Sequence, residues 1–174
     1  RLRFVVTFAF PGPQQRREFV AAGPGGERRI PASEFFLDYL TTALSPDEVL
    51  TAVRVPKLGA GWSSHYEKFN RVAQAWSIVG VAAQMTLDDH HACSDVRLAF
   101  CGVGETPVDA SPAASLLIGQ SPTETAFRDV AASVRTMIEP AGSVHATADY
   151  HRHIAGVLTE RALRTAHQRA HVGR

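Results

Sequence analysis

At 174 residues, with 45% hydrophobic and 20% charged residues, the chain has the composition of a globular protein with a substantial core. Lys and Arg total 18 against 17 Asp and Glu, a net charge of +1, which argues against a dedicated nucleic-acid surface. No apolar run is long enough for a membrane-spanning helix, and the 2 cysteines, Cys93 and Cys101, cannot alone hold a structural zinc or an iron–sulfur cluster.

Residues 1–17 show no orderly core pattern beyond a possible strand at Phe4–Phe10, and without an initiator Met the chain reads as a fragment of a longer protein. From Glu18 the pattern becomes regular. Phe19–Ala22 and Glu27–Ile30 flank Gly23-Pro24-Gly25-Gly26, a hairpin signal. Phe35, Phe36, Tyr39 and Leu40 recur at helical spacing, predicting a short helix over Pro31–Leu40 with Ser33 as N-cap. A turn at Leu44–Glu48 precedes a strand at Val49–Val55, and Gly59-Ala60-Gly61 links it to the next unit.

Strands are then predicted at Ser63–Phe69, Ser77–Leu87 and Val96–Val103, the last two joined by a turn at Asp88–His91. Helices follow at Ala110–Ile118, stopped by Gly119, at Pro122–Ile138 with an apolar stripe of Ala126, Val130, Val134 and Met137, and at Thr147–Arg169. Strands followed by helices, rather than alternating with them, predict an α+β fold with an antiparallel sheet covered on one side.

Motifs for hydrolytic or metal chemistry are weak. Gly23–Gly26 lies between strands, so no helix N-terminus reinforces anion binding there. Gly102-Val103-Gly104 lacks the third glycine of a dinucleotide fingerprint. His145, Asp149 and His153 fall at i, i+4 and i+8, a spacing that suits either a metal site or a solvated helix face. His90 and His91 read as exposed turn residues. No nucleophile elbow is present, and Cys93 and Cys101 read as inert reduced core thiols of a cytoplasmic protein. Lysine is scarce, occurring at Lys57 and Lys68. Tyr66 and Lys68 share one strand face and Glu67 and Phe69 the other. Lys68 is either a surface side chain lying along an apolar face or, with Arg71, Gln74 and Trp76 in the following polar bend, a cation suited to a large, flat, phosphate-bearing cofactor.

The segments 26–36 (Gly-Glu-Arg-Arg-Ile-Pro-Ala-Ser-Glu-Phe-Phe), 41–56 (Thr-Thr-Ala-Leu-Ser-Pro-Asp-Glu-Val-Leu-Thr-Ala-Val-Arg-Val-Pro) and 66–82 (Tyr-Glu-Lys-Phe-Asn-Arg-Val-Ala-Gln-Ala-Trp-Ser-Ile-Val-Gly-Val-Ala) together resemble the flavoprotein (medium) subunit of molybdenum hydroxylases. That family contains aerobic carbon monoxide dehydrogenase and bacterial xanthine dehydrogenase. Segments 96–107 and 150–163 continue the match in the same order. The resemblance implies an FAD-binding electron-transfer subunit that passes electrons from iron–sulfur clusters to FAD and on to an acceptor. The expected partners are a large molybdenum-binding subunit and a small iron–sulfur subunit. It divides the chain into 1–57, a remnant of a vanillyl-alcohol-oxidase-type FAD-binding domain, and 61–174, the C-terminal domain. The family's pyrophosphate-cradling glycine loops have no counterpart in the sequence. The alternative is a truncated docking module, or a degenerate fragment, that holds no FAD by itself.

Three positions carry over. Leu50 matches an apolar position whose backbone lies against the flavin, Lys68 a Lys at its polar edge, and Trp76 an aromatic near the isoalloxazine ring. The bend departs from the family's Arg-Arg-Ala-Gln-Asp-Trp, with Val72 and Ala75 replacing the second Arg and the Asp. Asp109 stands where an Arg usually follows Thr-Pro-Val, and His151 replaces an Arg after Tyr150.

Overall fold

The computed structural model describes residues 17–57, 61–72, 75–142 and 146–172. The strand expected at Phe4–Phe10, the link residues Gly59 and Ala60, and Gln74 and His145 lie outside them. The chain divides into two compact units, one within 11–58 and one within 59–174.

In the first unit, β1 (Glu18–Gly23) and β2 (Gly26–Pro31) form the expected antiparallel hairpin. A single helical turn, α1 (Ala32–Phe35), leads to a small ribbon of β3 (Phe36–Asp38) and β4 (Thr41–Thr42). The last strand, β5 (Val49–Arg54), pairs antiparallel with the other side of β1, giving the order β2-β1-β5. The helix expected over Pro31–Leu40 is corrected to that one turn, and Ser33 does not cap it. Aromatic packing overrides the helical spacing: Phe35 stacks on Phe19 at 3.8 Å and Phe36 turns its edge to Phe19 at 5.6 Å. To do so the backbone goes extended at Phe36, and Leu37, Tyr39 and Leu40 point to solvent.

The second unit is a four-stranded antiparallel sheet in the order β6 (Ser63–Phe69), β7 (Val79–Leu87), β8 (Cys93–Cys101) and β9 (Val108–Asp109). Three helices follow: the short α2 (Ser111–Ala114), continued by a 3-10 turn at Ser115–Leu117, then α3 (Glu124–Met137) and α4 (Ala148–Val172). The α+β expectation holds. Period-two alternation puts Val79, Val81, Ala83, Met85 and Leu87 of β7, with Val96, Leu98 and Phe100 of β8, on one face. That face packs on Phe127, Val130 and Val134 of α3 and on Leu158, Ala162 and Leu163 of α4. The helix expected over Ala110–Ile118 is shorter, closed by Gly119 at φ 78°.

Helix α3 starts where the Thr123 hydroxyl accepts a hydrogen bond from the Ala126 amide at 3.2 Å. Its guanidinium partner, Arg164 of α4, grips the Glu124 carboxylate through Nε at 2.7 Å, so the two helices are tied beside that cap. The strand β9 was not anticipated. It is two residues long, and the departure from the family at Asp109 explains part of it: the Asp109 carboxylate accepts from the Ser111 amide at 3.0 Å and the Ser111 hydroxyl at 2.6 Å, turning the chain from β9 into α2.

Candidate functional site

Alternation leaves the other face of the sheet to Tyr66 and Lys68 of β6, Gly80 and Ala82 of β7, and Ala99 and Cys101 of β8. Register sets Lys68 opposite Gly80 and Gly80 opposite Cys101, with Tyr66, Ala82 and Ala99 forming the next row. Lys68 is exposed, while Ala82, Ala99 and Cys101 are buried with Tyr66 packed against them. The Tyr66 hydroxyl crosses the strand to within 3.8 Å of Cys101 Sγ. Gly80 is required beneath it, because a Cβ there would stand 2.5 Å from that hydroxyl and 2.7 Å from Sγ. Burial pushes the Cys101 thiol up; the Tyr66 hydroxyl, the Gly80 backbone and the positive charge of Lys68 oppose that push. The Cys93 thiol, pushed up to about 11 by burial and then by Asp95 and Asp88, is still further from thiolate character.

The bend between β6 and β7 is closed by the Ile78 amide donating to the Phe69 carbonyl at 2.9 Å and tightened by the Ala75 amide donating to Val72 at the same distance. Asn70 Nδ2 donates to the Val72 carbonyl as well. The bend is therefore held by backbone bonds, although Ala75 replaces the family's carboxylate. Trp76 rides on it at 70% exposure, off the mouth of β7 rather than in the core. Beneath the same hairpin end, the Phe69 ring meets Tyr150 of α4 edge-on at 6.2 Å, and at the far end of β6 Arg169 donates to the Ser64 carbonyl at 2.7 Å. Helix α4 thus braces the whole length of the strand that carries Lys68.

The structure brings Lys68 and Trp76 to one hairpin end. Leu50 stands in the first unit, on β5, at 38% exposure. Sequence reasoning missed the grouping of Tyr66, Gly80 and Cys101; the shared face of Tyr66 and Lys68 was the signal for half of it. Among the described residues no group of three or more His, Cys, Asp or Glu side chains could hold a metal. Asp149 instead pairs with Arg152 at 2.9 Å, and His90, His91 and His153 are exposed. His151 is buried, with Nδ1 2.9 Å from the Thr147 carbonyl, so the residue that departs from the family's Arg serves the first turn of α4. No helix among the described residues is long and apolar enough to cross a membrane.

The family described as "CO dehydrogenase flavoprotein C-terminal domain" matches residues 64–166, which contain this hairpin and the helices that brace it. The chain belongs to that family. The carbon monoxide dehydrogenase medium chain of Hydrogenophaga pseudoflava is 35% identical over 150 residues, covering 85% of this chain and 51% of that one. The solved carbon monoxide dehydrogenase of the same organism, lacking the Mo-pyranopterin moiety of its molybdenum cofactor, superposes with a TM-score of 0.80 at 34% identity, over 88% of this chain and 53% of the other. Quinoline 2-oxidoreductase from Pseudomonas putida 86 shares the fold, with a TM-score of 0.85 at 23% identity over 98% of this chain and 56% of that one. The CO dehydrogenase flavoprotein resemblance read from the sequence therefore holds, and the chain spans about half the length of the relatives it matches.

Proposed function

We propose that this chain is the C-terminal part of an FAD-binding electron-transfer subunit of a molybdenum hydroxylase, with Lys68 and Trp76 at the flavin's ring and the Leu50 backbone against it. The observation that carries the reading is Lys68, an exposed cation at the hairpin end that also carries the exposed Trp76, on a strand that α4 braces from end to end. The residues present fit the ring end of the cofactor: an exposed ammonium suits its polar edge, and an exposed indole suits its plane. They do not supply the phosphate end, because Gly23–Gly26 closes the β1–β2 hairpin and opens no helix. In this reading residues 1–57 are the remnant of the FAD-binding domain and 61–174 the C-terminal domain.

Flavin, when bound, supplies the electron-accepting ring. This chain's part is positional and electrostatic. The Lys68 ammonium favours negative charge at the ring edge and so raises the midpoint potential, and Trp76 limits the access of water. The reading extends to a large molybdenum-binding subunit and a small iron–sulfur subunit as partners, with electrons arriving through the iron–sulfur clusters and leaving to an acceptor. It also places the protein in the cytoplasm, in keeping with the free thiols of Cys93 and Cys101.

The test is flavin retention. The full chain is incubated with FAD, desalted and examined for the flavin absorption at about 450 nm. A retained band that Lys68→Ala weakens, or whose midpoint potential it lowers, supports the assignment; a band indifferent to Lys68→Ala in both respects rejects it. A second reading, a subunit-docking module that holds no flavin unaided, is favoured by the missing phosphate cradle. A folded chain that retains no band but co-purifies with the partner subunits would select it.

A further inference from the structure

Lys68 stands directly opposite Gly80, and Gly80 opposite Cys101, so the row that crosses the sheet from the lysine has no side chain on its middle strand. Glycine inside a strand weakens it and marks a place where another group comes close. The group here comes from the neighbouring row. A Cβ at Gly80 would stand 2.5 Å from the Tyr66 hydroxyl and 3.3 Å from its Cζ, so the far end of the phenol occupies the space that residue 80 leaves empty. The hydroxyl ends 3.8 Å from Cys101 Sγ, across the gap from Lys68.

Packing accounts for only part of this arrangement. Tyr66 covers Ala82 and Ala99 of its own row, and that contact needs the ring alone. It gives no reason for the phenol to be carried forward into the row of Lys68, nor for residue 80 to be glycine, since a small apolar side chain would have filled the same space. What the arrangement changes is the freedom of Lys68. A lysine has a flexible four-carbon stem that lies along neighbouring apolar surface with its charge at the rim. Were the gap over Gly80 empty, that stem would fall across it towards Cys101. With the phenol in the gap the route is closed, and Lys68 stays exposed.

We propose that Tyr66 is the positioning residue for Lys68: its phenol, seated over Gly80 against Cys101, keeps the lysine stem off the sheet and presents the ammonium at the hairpin end that carries Trp76. The functional meaning rests on the flavin reading above, in which the ring meets that ammonium; the geometry belongs to the chain with or without the cofactor. A stem with fewer places to lie loses less conformational freedom on meeting a ligand, so the cation is preorganised. Tyr66 touches no cofactor in this account and acts through Lys68.

The experiment uses the chain's scarcity of lysine. Its lysines are Lys57 and Lys68, so isotopic labelling of lysine gives one ε-methylene signal for each, with Lys57 as the internal reference. In the full chain without flavin, the nuclear Overhauser contacts of the Lys68 ε-methylene should exclude the Gly80 α and Cys101 β protons. Tyr66→Leu keeps an apolar cover on Ala82 and Ala99 but is too short to reach over Gly80. It should bring both contacts in, and Tyr66→Phe, which keeps the ring, should not. A Gly80 contact already present in the unsubstituted chain would overturn the proposal without any variant. So would a folded Tyr66→Leu chain with unchanged Lys68 contacts, or a Tyr66→Phe chain altered as much as Tyr66→Leu. FAD retention after desalting tests the functional half: Tyr66→Leu should weaken it by the same factor as Lys68→Ala, and the double variant by no more than either alone. Retention that falls with Lys68→Ala but not with Tyr66→Leu overturns the positioning role. Retention indifferent to Lys68→Ala rejects the flavin assignment, while the lysine contacts still decide the placement by Tyr66.

Discussion

Arg28 of β2 grips the Glu48 carboxylate with both Nε and Nη2, at 2.6 and 2.8 Å, and the same Nη2 reaches the Ala43 carbonyl at 2.6 Å. Glu48 in turn accepts from the Ser45 amide at 2.7 Å, so this pair fixes the turn that delivers the chain into β5. A bidentate guanidinium–carboxylate contact is directional as well as charged, which suits a corner that sets strand entry.

The Arg28 hydrogen bond, with the Ser45 amide behind it, lowers the Glu48 carboxyl from 4.5 to about 2. A carboxyl whose folded value is depressed stabilises the fold above its unfolded value, and that contribution disappears as pH falls from 4.5 through about 2. Glu48→Gln should therefore flatten the acid limb of the first unit's stability and matter least near pH 2. Amide exchange around Ser45 and Val49, followed against pH, checks this; parallel pH profiles for the two proteins would refute it.

Gly80 has no room for a side chain beneath Tyr66. Gly80→Ala should destabilise the sheet by about 1–3 kcal/mol, since the Tyr66 hydroxyl and Cys101 Sγ both have to move. Removing that hydroxyl with Tyr66→Phe in the Gly80→Ala background should recover part of the loss. Thermal melting of the two variants decides between this steric account and a simple loss of glycine flexibility, which Tyr66→Phe would not repair.

Phe100 is fully buried between the sheet and the helices. Phe100→Ala should cost about 3–5 kcal/mol, the range for emptying an aromatic site in a packed core. Denaturant unfolding of the helix-covered unit gives the value directly, and a cost below about 1 kcal/mol would mean that the core had collapsed around the cavity.

Thr123 caps α3 through its bond with the Ala126 amide. Thr123→Ala should cost about 0.5–2 kcal/mol, and Thr123→Ser much less, because serine keeps the accepting oxygen. Equal losses for both variants would point to the threonine methyl rather than the cap.

The thiols should be slow to alkylate. With Cys93 at about 11 and buried, and Cys101 raised in the same direction, little thiolate exists near pH 8, and iodoacetamide should label neither until the fold opens. Mass spectrometry of native and denatured samples checks both sites together. Rapid labelling of native Cys101 would show that the Lys68 charge and the Tyr66 hydrogen bond outweigh burial.

Much of the fold was legible because side-chain periodicity reports which elements form and which face each buries. Val79, Val81, Ala83 and Met85 alternate as a strand must, and Phe127, Val130 and Val134 recur as a helix must. The Pro31–Leu40 reading failed because Phe35 and Phe36 satisfy helical spacing locally but gain more by packing on Phe19 of β1, Phe35 stacked on its ring and Phe36 edge-on to it. Strand β9 was too short for any periodic signal, and Asp109 reads as a loop residue until its two hydrogen bonds to Ser111 are seen.

The order of strands and helices, the α+β class and the shared face of Tyr66 and Lys68 follow from the chain's own pattern, since alternation and capping are local properties. The tertiary structure alone decided that Tyr66 lies over Gly80 against Cys101, 35 residues away in the chain, and that β5 ends the sheet instead of running through it. Both depend on strand register and on what covers an edge, which arise when distant segments pair and which no single segment encodes.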